Sequence, residues 1–581
     1  MANQTGTLTS SQGSAIIGTS PNDTITFAPS SGTYTVEYPL GTTAISASTG
    51  AQSLSVSGGQ LRLTCATGSV AWSVADGNDG TPLSQTELSS VRSLVSGGGI
   101  SGNSQASFAI LGDSLSGYCF GAVTITSATA SGGVVTVAAT GHGMVNGCTY
   151  AHYGANEDAF NVSGVTITRI DANSYSYPAP GATGTATGSQ FGANLQNLSQ
   201  HGYMGWARML SANRPQIVYA GVQGGATAAT IGTKYVAAAL ASGARNAVVL
   251  AGVNNAASAQ TAAQIAAEII ASLVEPLVTQ GVRVFLMAVW PFSSSHASFA
   301  TAAPKIPAIN ETLRRYALGK AGVVWVDGFS ALIDPLNATA GNALAGTMDA
   351  SNLHPTAKGA YLAGAKLAAA ITAQPIPAVD LLVQANIDQR GSNAQSNNLL
   401  DCGLMQGATG TNNTITGTTL PTGWTGTISG TATASAAVTA RADGYGSDVV
   451  LTITPGAANA QVLLNSQTGQ LLGRVTAGGW YQLGVEVTAT GVSASNLANV
   501  TAYLQVSLDG VAYTLGVANG YTSDTAATQD ITALPLVSQP FYIPAGVTIS
   551  APLMNVTCRF SALSGSALTL KWGRATLRQL A

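Results

Sequence analysis

Between Ala106 and about Pro375 the chain sets short, continuous apolar runs between helical patterns, and this alternation limits its fold more than any other feature. The runs are Ser107 to Leu111, Gln216 to Ala220, Ala247 to Ala251, Val282 to Val289 and Val323 to Val326. A strand without polar alternation is buried on both faces, as in parallel sheets covered by helices. Helical patterns at Ala259 to Gln280, Pro304 to Gly319 and Pro355 to Thr372 supply that cover. Strand, helix and strand in succession imply right-handed crossovers. One α/β domain is therefore expected over residues 105–375.

That domain is expected to be interrupted. Residues 121–189 show no helical period but contain strand patterns at Val134 to Ala138, Val165 to Ile170 and Ser174 to Tyr177. They read as a small β-domain inserted in the loop after the first strand and its turn, where insertions are tolerated. The segment resembles a short β-module that recurs in bacteriophage structural proteins. Residues 1–104 read as a β-rich N-terminal domain, with strands at Thr24 to Phe27, Thr33 to Tyr38 and Leu61 to Thr64. Gly97, Gly98 and Gly99 then mark a linker or a sharp turn. Residues 376–581 read as a β-sandwich, with strands at Asp448 to Ile453, Trp480 to Thr488, Val500 to Leu508 and Leu568 to Trp572. The sandwich looks like the jelly-roll carbohydrate-binding modules appended to glycan-active enzymes; a role in packing or assembly alone is equally open.

Composition sharpens this picture. Only 8% of the 581 residues are charged, against roughly 25% in an ordinary soluble domain. Gly, Ala, Ser and Thr take their place, which favours strand and turn over solvent-facing helix. The net charge of −3, without basic stripe or acidic tail, argues against nucleic acid and anionic membranes as partners. Ile265 to Val278 is the most apolar helical stretch, and Glu268, Glu275 and Pro276 argue against membrane insertion. Met1 to Thr19 has neither Lys nor Arg nor an apolar core, so no secretory signal is expected. Five scattered cysteines (Cys65, Cys119, Cys148, Cys402 and Cys558) form no C-x-x-C pair and read as isolated core thiols. A surface of extracellular type without an export signal fits a virion protein exposed after host lysis; secretion by another route is the alternative.

Chemistry concentrates at the ends of the apolar runs. Gly112-Asp113-Ser114-Leu115-Ser116 follows the first, and a serine there sits where α/β folds place their sites. Gly221 to Thr227 forms a Gly-rich loop after the second run, and Gly252-Val253-Asn254-Asn255 closes the third. Ser351-Asn352-Leu353-His354-Pro355 opens the last helix, with Pro355 suited to its first turn. Taken singly, these are ordinary turns and caps.

In this order and spacing the four blocks resemble the SGNH/GDSL hydrolases, serine esterases with a three-layer, flavodoxin-like α/β fold. The resemblance covers 105–120 and 190–375. It implies Ser114 as nucleophile, His354 as its base, and an oxyanion hole made by the Ser114 amide, the Gly224 amide and the Asn254 side chain. It implies no metal or cofactor. Asp113 is expected to brace the turn and Asn255 the Asn254 loop, while Trp290 is a candidate lining for an acyl or sugar pocket. Glu157 and Asp158 read as a solvated loop, and His296 as exposed. One position departs from the pattern: Ser351 stands where the family carries its acid, three residues before the histidine, and Asp349 lies five before. Three arrangements are open. Asp349 reaches His354; Ser351, a carbonyl or water orients the ring; or the site is degenerate.

The expected function is that of an esterase removing O-acyl groups, above all O-acetyl, from a bacterial surface polysaccharide, as a phage tail fibre or tailspike. Tail proteins are often trimers, so a homotrimer attached to a virion tail is expected. A non-catalytic glycan- or receptor-binding virion protein is the main alternative, and a secreted bacterial carbohydrate esterase is another.

Overall fold

The computed structural model describes the strands of residues 4–75, and residues 105–580 apart from 416–418, 457–459, 493–496, 498, 520–529 and 560–565. The glycine run at 97–99 and Tyr38 lie outside the described residues, as do the side chains of Cys65 and Cys558. The chain forms two compact units, residues 1–90 and 91–581. The first is a six-stranded antiparallel sheet whose longest strand spans Ser14–Ser31. Phe27 and Tyr34 pack ring to ring at 5.8 Å and are buried, as are Val36 and Leu63.

The second unit is built around five parallel strands: β1 (Ser107–Gly112), β2 (Gln216–Val222), β3 (Asn246–Leu250), β4 (Arg283–Met287) and β5 (Val323–Val326). Their order is β2-β1-β3-β4-β5, a doubly wound arrangement with β1 between two neighbours. Every residue of β1 and β3 is buried, as continuous apolar runs require. Val222 and Leu250 both lie opposite Gly112 in register. The loops after β1, β2 and β3 therefore leave the sheet side by side.

Five longer helices flank it: α1 (Tyr203–Leu210), α2 (Ala228–Ala241), α3 (Ala262–Ile269), α4 (Ile306–Gly319) and α5 (Ala357–Thr372). Thr261 and Gln264 form a capping box on α3, and Thr227 and Thr356 cap α2 and α5 with their hydroxyls. The path of α3 continues through a wide π-helical turn at Ile270–Val274 into Glu275–Thr279. Pro276 lacks the N–H that a regular helix needs there, and the wide turn absorbs the break. Ile265, Ala266, Ile269, Leu273, Val274 and Leu277 are buried at helical spacing, so this is a core helix.

The interruption after β1 holds two antiparallel sheets, one of five strands and one of four. The four-stranded sheet includes Phe120–Val123 and Phe191–Leu198, which pair with each other and bring both ends of the insertion together. Tyr150, Tyr175 and Tyr177 fill the middle of the module. It docks on the edge of the parallel sheet, where Ser163 donates to the Ala220 carbonyl at 2.6 Å and Lys234 on α2 pairs with Asp158.

The C-terminal part is a sandwich of two six-stranded sheets, antiparallel except for one short edge pair. Trp424 is 1% exposed and donates its Nε1–H to the Cys402 carbonyl, so it belongs to the core. Cys119, Cys148 and Cys402 are free, buried thiols. The connecting segment is pinned to the last strand by ion pairs from Arg574 to Asp380 and from Arg578 to Asp388.

Candidate active site

Gly112 ends β1 where no side chain fits: a Cβ would stand 2.2 Å from Ser116 Oγ and 2.4 Å from the Leu250 carbonyl. The chain then turns into the short helix Ser114–Gly117. Asp113 caps it, accepting the Leu115 amide at 3.0 Å through Oδ1, and so braces the turn. Asp113 is fully buried, and burial raises its carboxyl to about 7 even though that amide favours ionisation. Ser114 itself is 9% exposed.

His354 comes from the far end of the domain. Asp349 donates its amide to the His354 carbonyl at 2.8 Å, and Met348 and Pro355 form a bridge beyond them. The segment is thus a tight hairpin with Asn352 at φ 63°, a left-handed conformation that Asn tolerates. The hairpin delivers His354 Nε2 to 2.9 Å from Ser114 Oγ. On the other side of the ring, Nδ1 lies 3.0 Å from Ser351 Oγ. The Ser351 hydroxyl in turn donates to Asp349 Oδ1, which also accepts the Ser351 amide at 2.8 Å. Of the arrangements that the sequence leaves open, the structure shows a composite: Ser351 touches the imidazole and Asp349 holds Ser351. A hydroxyl can do this because it accepts from Nδ1–H while donating to a carboxylate.

Two aromatic residues complete the surroundings, and neither stands out in the sequence. Tyr118 stacks on His354 with centroids 4.3 Å apart and planes 8° from parallel. Tyr153 comes from the insertion, is 4% exposed, and lies against Gly224, where a Cβ would meet its ring at 2.6 Å. Single aromatics carry no periodic signal, so only a motif could have marked them. Burial lowers the pKa of His354; the negative charge of Asp349 acts the other way, and His296 lowers it further.

The other residues fall as follows. The same Cβ position on Gly224 would lie 3.6 Å from Ser114 Cβ, so the Gly-rich loop passes directly beside the serine. The Ser114 and Gly224 amides donate to no group among the described residues. Asn254 lies in the short helix Val253–Ala256 after β3, and its Nδ2 donates to the Ala226 carbonyl at 3.0 Å, leaving the second N–H of that amide. Asn255 accepts the Ala228 amide at 3.0 Å and donates to Gln260 and Glu268, so it ties the loops after β2 and β3 together. Asp158 is held by Lys234, and Glu157 accepts both the amide and the hydroxyl of Thr187 at 2.7 Å.

Two expectations need correction. Trp290 is 1% exposed and packs edge-on against Tyr203 at 5.7 Å, so it is a core residue rather than the lining of an open pocket. It continues the apolar run of β4, and an indole there gains more by burial than by exposure. His296 is half-buried rather than exposed, with its ring edge-on to Phe292 at 5.2 Å. The Ser293 amide bonds the Asn352 carbonyl at 2.9 Å, which draws this loop against the His354 hairpin.

A serine hydroxyl, an imidazole within hydrogen-bond reach, and amides beside the serine together suit acyl transfer through a tetrahedral intermediate. No curated protein matches the chain. Among solved structures, a GDSL-like lipase from Bacteroides thetaiotaomicron is 20% identical, covering 29% of this chain and 82% of its own, with a TM-score of 0.24. A family two carbohydrate esterase from Clostridium thermocellum is 11% identical, over 62% of this chain and 91% of its own, with a TM-score of 0.24. A peptidoglycan O-acetylesterase is 13% identical, over 48% of this chain and 93% of its own, with a TM-score of 0.25. Residues 184–362 match the family model described as GDSL-like Lipase/Acylhydrolase family, a span that holds the Gly224, Asn254 and His354 blocks and starts after most of the insertion. Over residues 184–362, then, the chain is similar to the GDSL-like lipase/acylhydrolase family.

Proposed function

We propose that this protein is a serine esterase that removes O-acyl groups, O-acetyl above all, from a bacterial surface polysaccharide. The observation that carries the reading is the 2.9 Å contact between Ser114 Oγ and His354 Nε2, backed by Ser351 and Asp349. Ser114 Oγ attacks the acyl carbon while its proton passes to His354 Nε2. The carbonyl electron pair moves onto oxygen, and the Ser114 amide, the Gly224 amide and Asn254 Nδ2 receive that charge. Each such donor is typically worth about 3 kcal/mol in the transition state. Collapse breaks the ester C–O bond, and the leaving sugar hydroxyl takes the proton from His354. Water then gives a proton to His354 and adds to the acyl carbon; the second collapse frees the acid and returns the proton to Ser114. Throughout, Ser351 holds Nδ1–H, so that Nε2 faces the serine, and Asp349 steadies the imidazolium.

The setting we propose is a phage tail fibre or tailspike, acting after host lysis as a homotrimer. The charge-poor, Gly-, Ser- and Thr-rich β-modules around the α/β domain support it, and secretion from a bacterium is the alternative.

The test is hydrolysis of p-nitrophenyl acetate by the purified protein and by Ser114→Ala, followed by acetate release from acetylated polysaccharide. Wild-type turnover that falls at least about 10³-fold in Ser114→Ala is expected. A steep preference for acetyl over longer chains supports the deacetylase reading over a lipase. Absence of turnover on every acyl substrate sinks the esterase and leaves a glycan-binding virion protein as the better account.

A further inference from the structure

A cleft of about 220 Å³ opens where the insertion, the edge strand β2 and the C-terminal sandwich meet. Thr149 and Gln196 line it from the insertion, Tyr219 and Ser242 from the α/β domain, and Gln539 from the sandwich. Neither Ser114 nor Gly224, Asn254 or His354 borders it, and no charged side chain does.

Gln196, Tyr219 and Gln539 bring polar side-chain groups to its wall. Gln539 is 4% exposed, and its Oε1 accepts from Arg208 Nη1 at 3.1 Å. A guanidinium only donates, so this contact fixes the amide with its acceptor on Arg208 and its NH₂ turned away. That NH₂ donates to nothing among the described residues. Gln196 is 6% exposed, and its Nε2 is buried without a partner among them. The hydroxyl of Tyr219 also bonds no group among the described residues. A buried polar group left unpaired costs about 1–3 kcal/mol, so Gln196 Nε2, beside the solvent-reaching Gln539 NH₂ and Tyr219 hydroxyl, points to a bound molecule.

We propose that this cleft is a subsite for one neutral sugar residue of a glycan, separate from the Ser114 site. Uncharged donors and acceptors around an aromatic ring suit hydroxyls and C–H faces, and no charged side chain lines the cleft to pair directly with a phosphate, carboxylate or cation. The volume lies below the roughly 300–1,000 Å³ of drug-sized sites, which limits the occupant to a single ring. The inference goes beyond the esterase reading and stands whether or not Ser114 is a nucleophile.

The experiment uses the full chain carrying Ser114→Ala, with ligand-observed saturation-transfer NMR on glucose, galactose, N-acetylglucosamine and N-acetylgalactosamine at millimolar concentration. At least one sugar is expected to bind, with affinity weakened about tenfold by Gln539→Leu and by Gln196→Leu. Because Gln539→Leu also leaves Arg208 without its acceptor, Gln196→Leu and Tyr219→Phe serve as independent variants, with thermal melts to check folding. Binding by none of these sugars overturns the proposal. So does binding that Gln196→Leu and Tyr219→Phe both leave unchanged, since the sugar would then sit elsewhere. Esterase activity in the parent chain is scored separately, and its absence does not touch this result.

Discussion

Ser351 occupies the place of a carboxylate, yet its hydroxyl passes the influence of Asp349 on to the imidazole. Replacing it with alanine removes the acceptor for Nδ1–H while leaving the hairpin bond between Asp349 and His354 in place. Ser351→Ala is expected to lower kcat by about 10²-fold, the low end of what a positioned general base supplies, with an unchanged melting temperature. The pH profile gives a sharper reading. Burial holds His354 below its ordinary value, and a base must be unprotonated to act. The acid limb of kcat/KM should therefore lie below about 6.5. Asp349 raises the His354 pKa, so Asp349→Asn should move that limb lower still. A fall in rate without movement of the limb would show that Asp349 only shapes the hairpin. At this scale Ser114 and His354 were legible, because motifs name residues that end strands and open helices. Tyr118 stacked on the imidazole was not, and neither was the choice between Ser351 and Asp349 at Nδ1, because rotamers and hairpin geometry decide both.

The parallel strands and three of the helices could be read because two-sided burial writes itself as continuous apolar runs and helices as a 3.6-residue period. Helices α1 and α2 escaped that reading. Ala-rich α2 carries little contrast between its faces, and its position comes from the tie through Asn255 and the Thr227 cap. The inserted module carries its own titration. His152 is fully buried, and burial lowers its pKa to about 4. An unfolded histidine titrates near 6.5, so between about 6.5 and 4 the unfolded state binds more protons than the folded one. Stability should therefore decline as pH falls through that window, and His152→Phe should flatten the decline. Equal slopes of melting temperature against pH in the two proteins would remove the histidine from the account.

Across the whole molecule, the insertion is joined to the site as well as to the fold. Tyr153 reaches from it to the Gly224 loop, so the wall beside Ser114 is shared between two modules. Tyr153→Ala should lower kcat for p-nitrophenyl acetate by about 10²-fold, the scale of a one-ångström misplacement near the reacting atoms. A variant that melts normally and turns over at the wild-type rate would show that the loop keeps its shape unaided. The existence of an insertion was visible in the change of texture after Gly121, but its reach into the site was not. Contacts between modules depend on docking, and docking leaves no local pattern in either sequence.

The pairing of Phe120 with Leu198 also bears on how the chain reaches its native state. β1 and β2 are neighbours in the sheet, yet the whole insertion lies between them in sequence. Closing a long floppy loop costs entropy that grows as the logarithm of its length, and slow folding follows from contacts so far apart. A module that has already folded, with its two ends side by side, leaves only the short flanks on either side of it to be closed. The insertion would then act as a kinetic clamp, forming first and handing β1 to β2. Refolding followed by stopped flow should slow at mildly acidic pH, where protonation of His152 weakens the module, and His152→Phe should restore the rate.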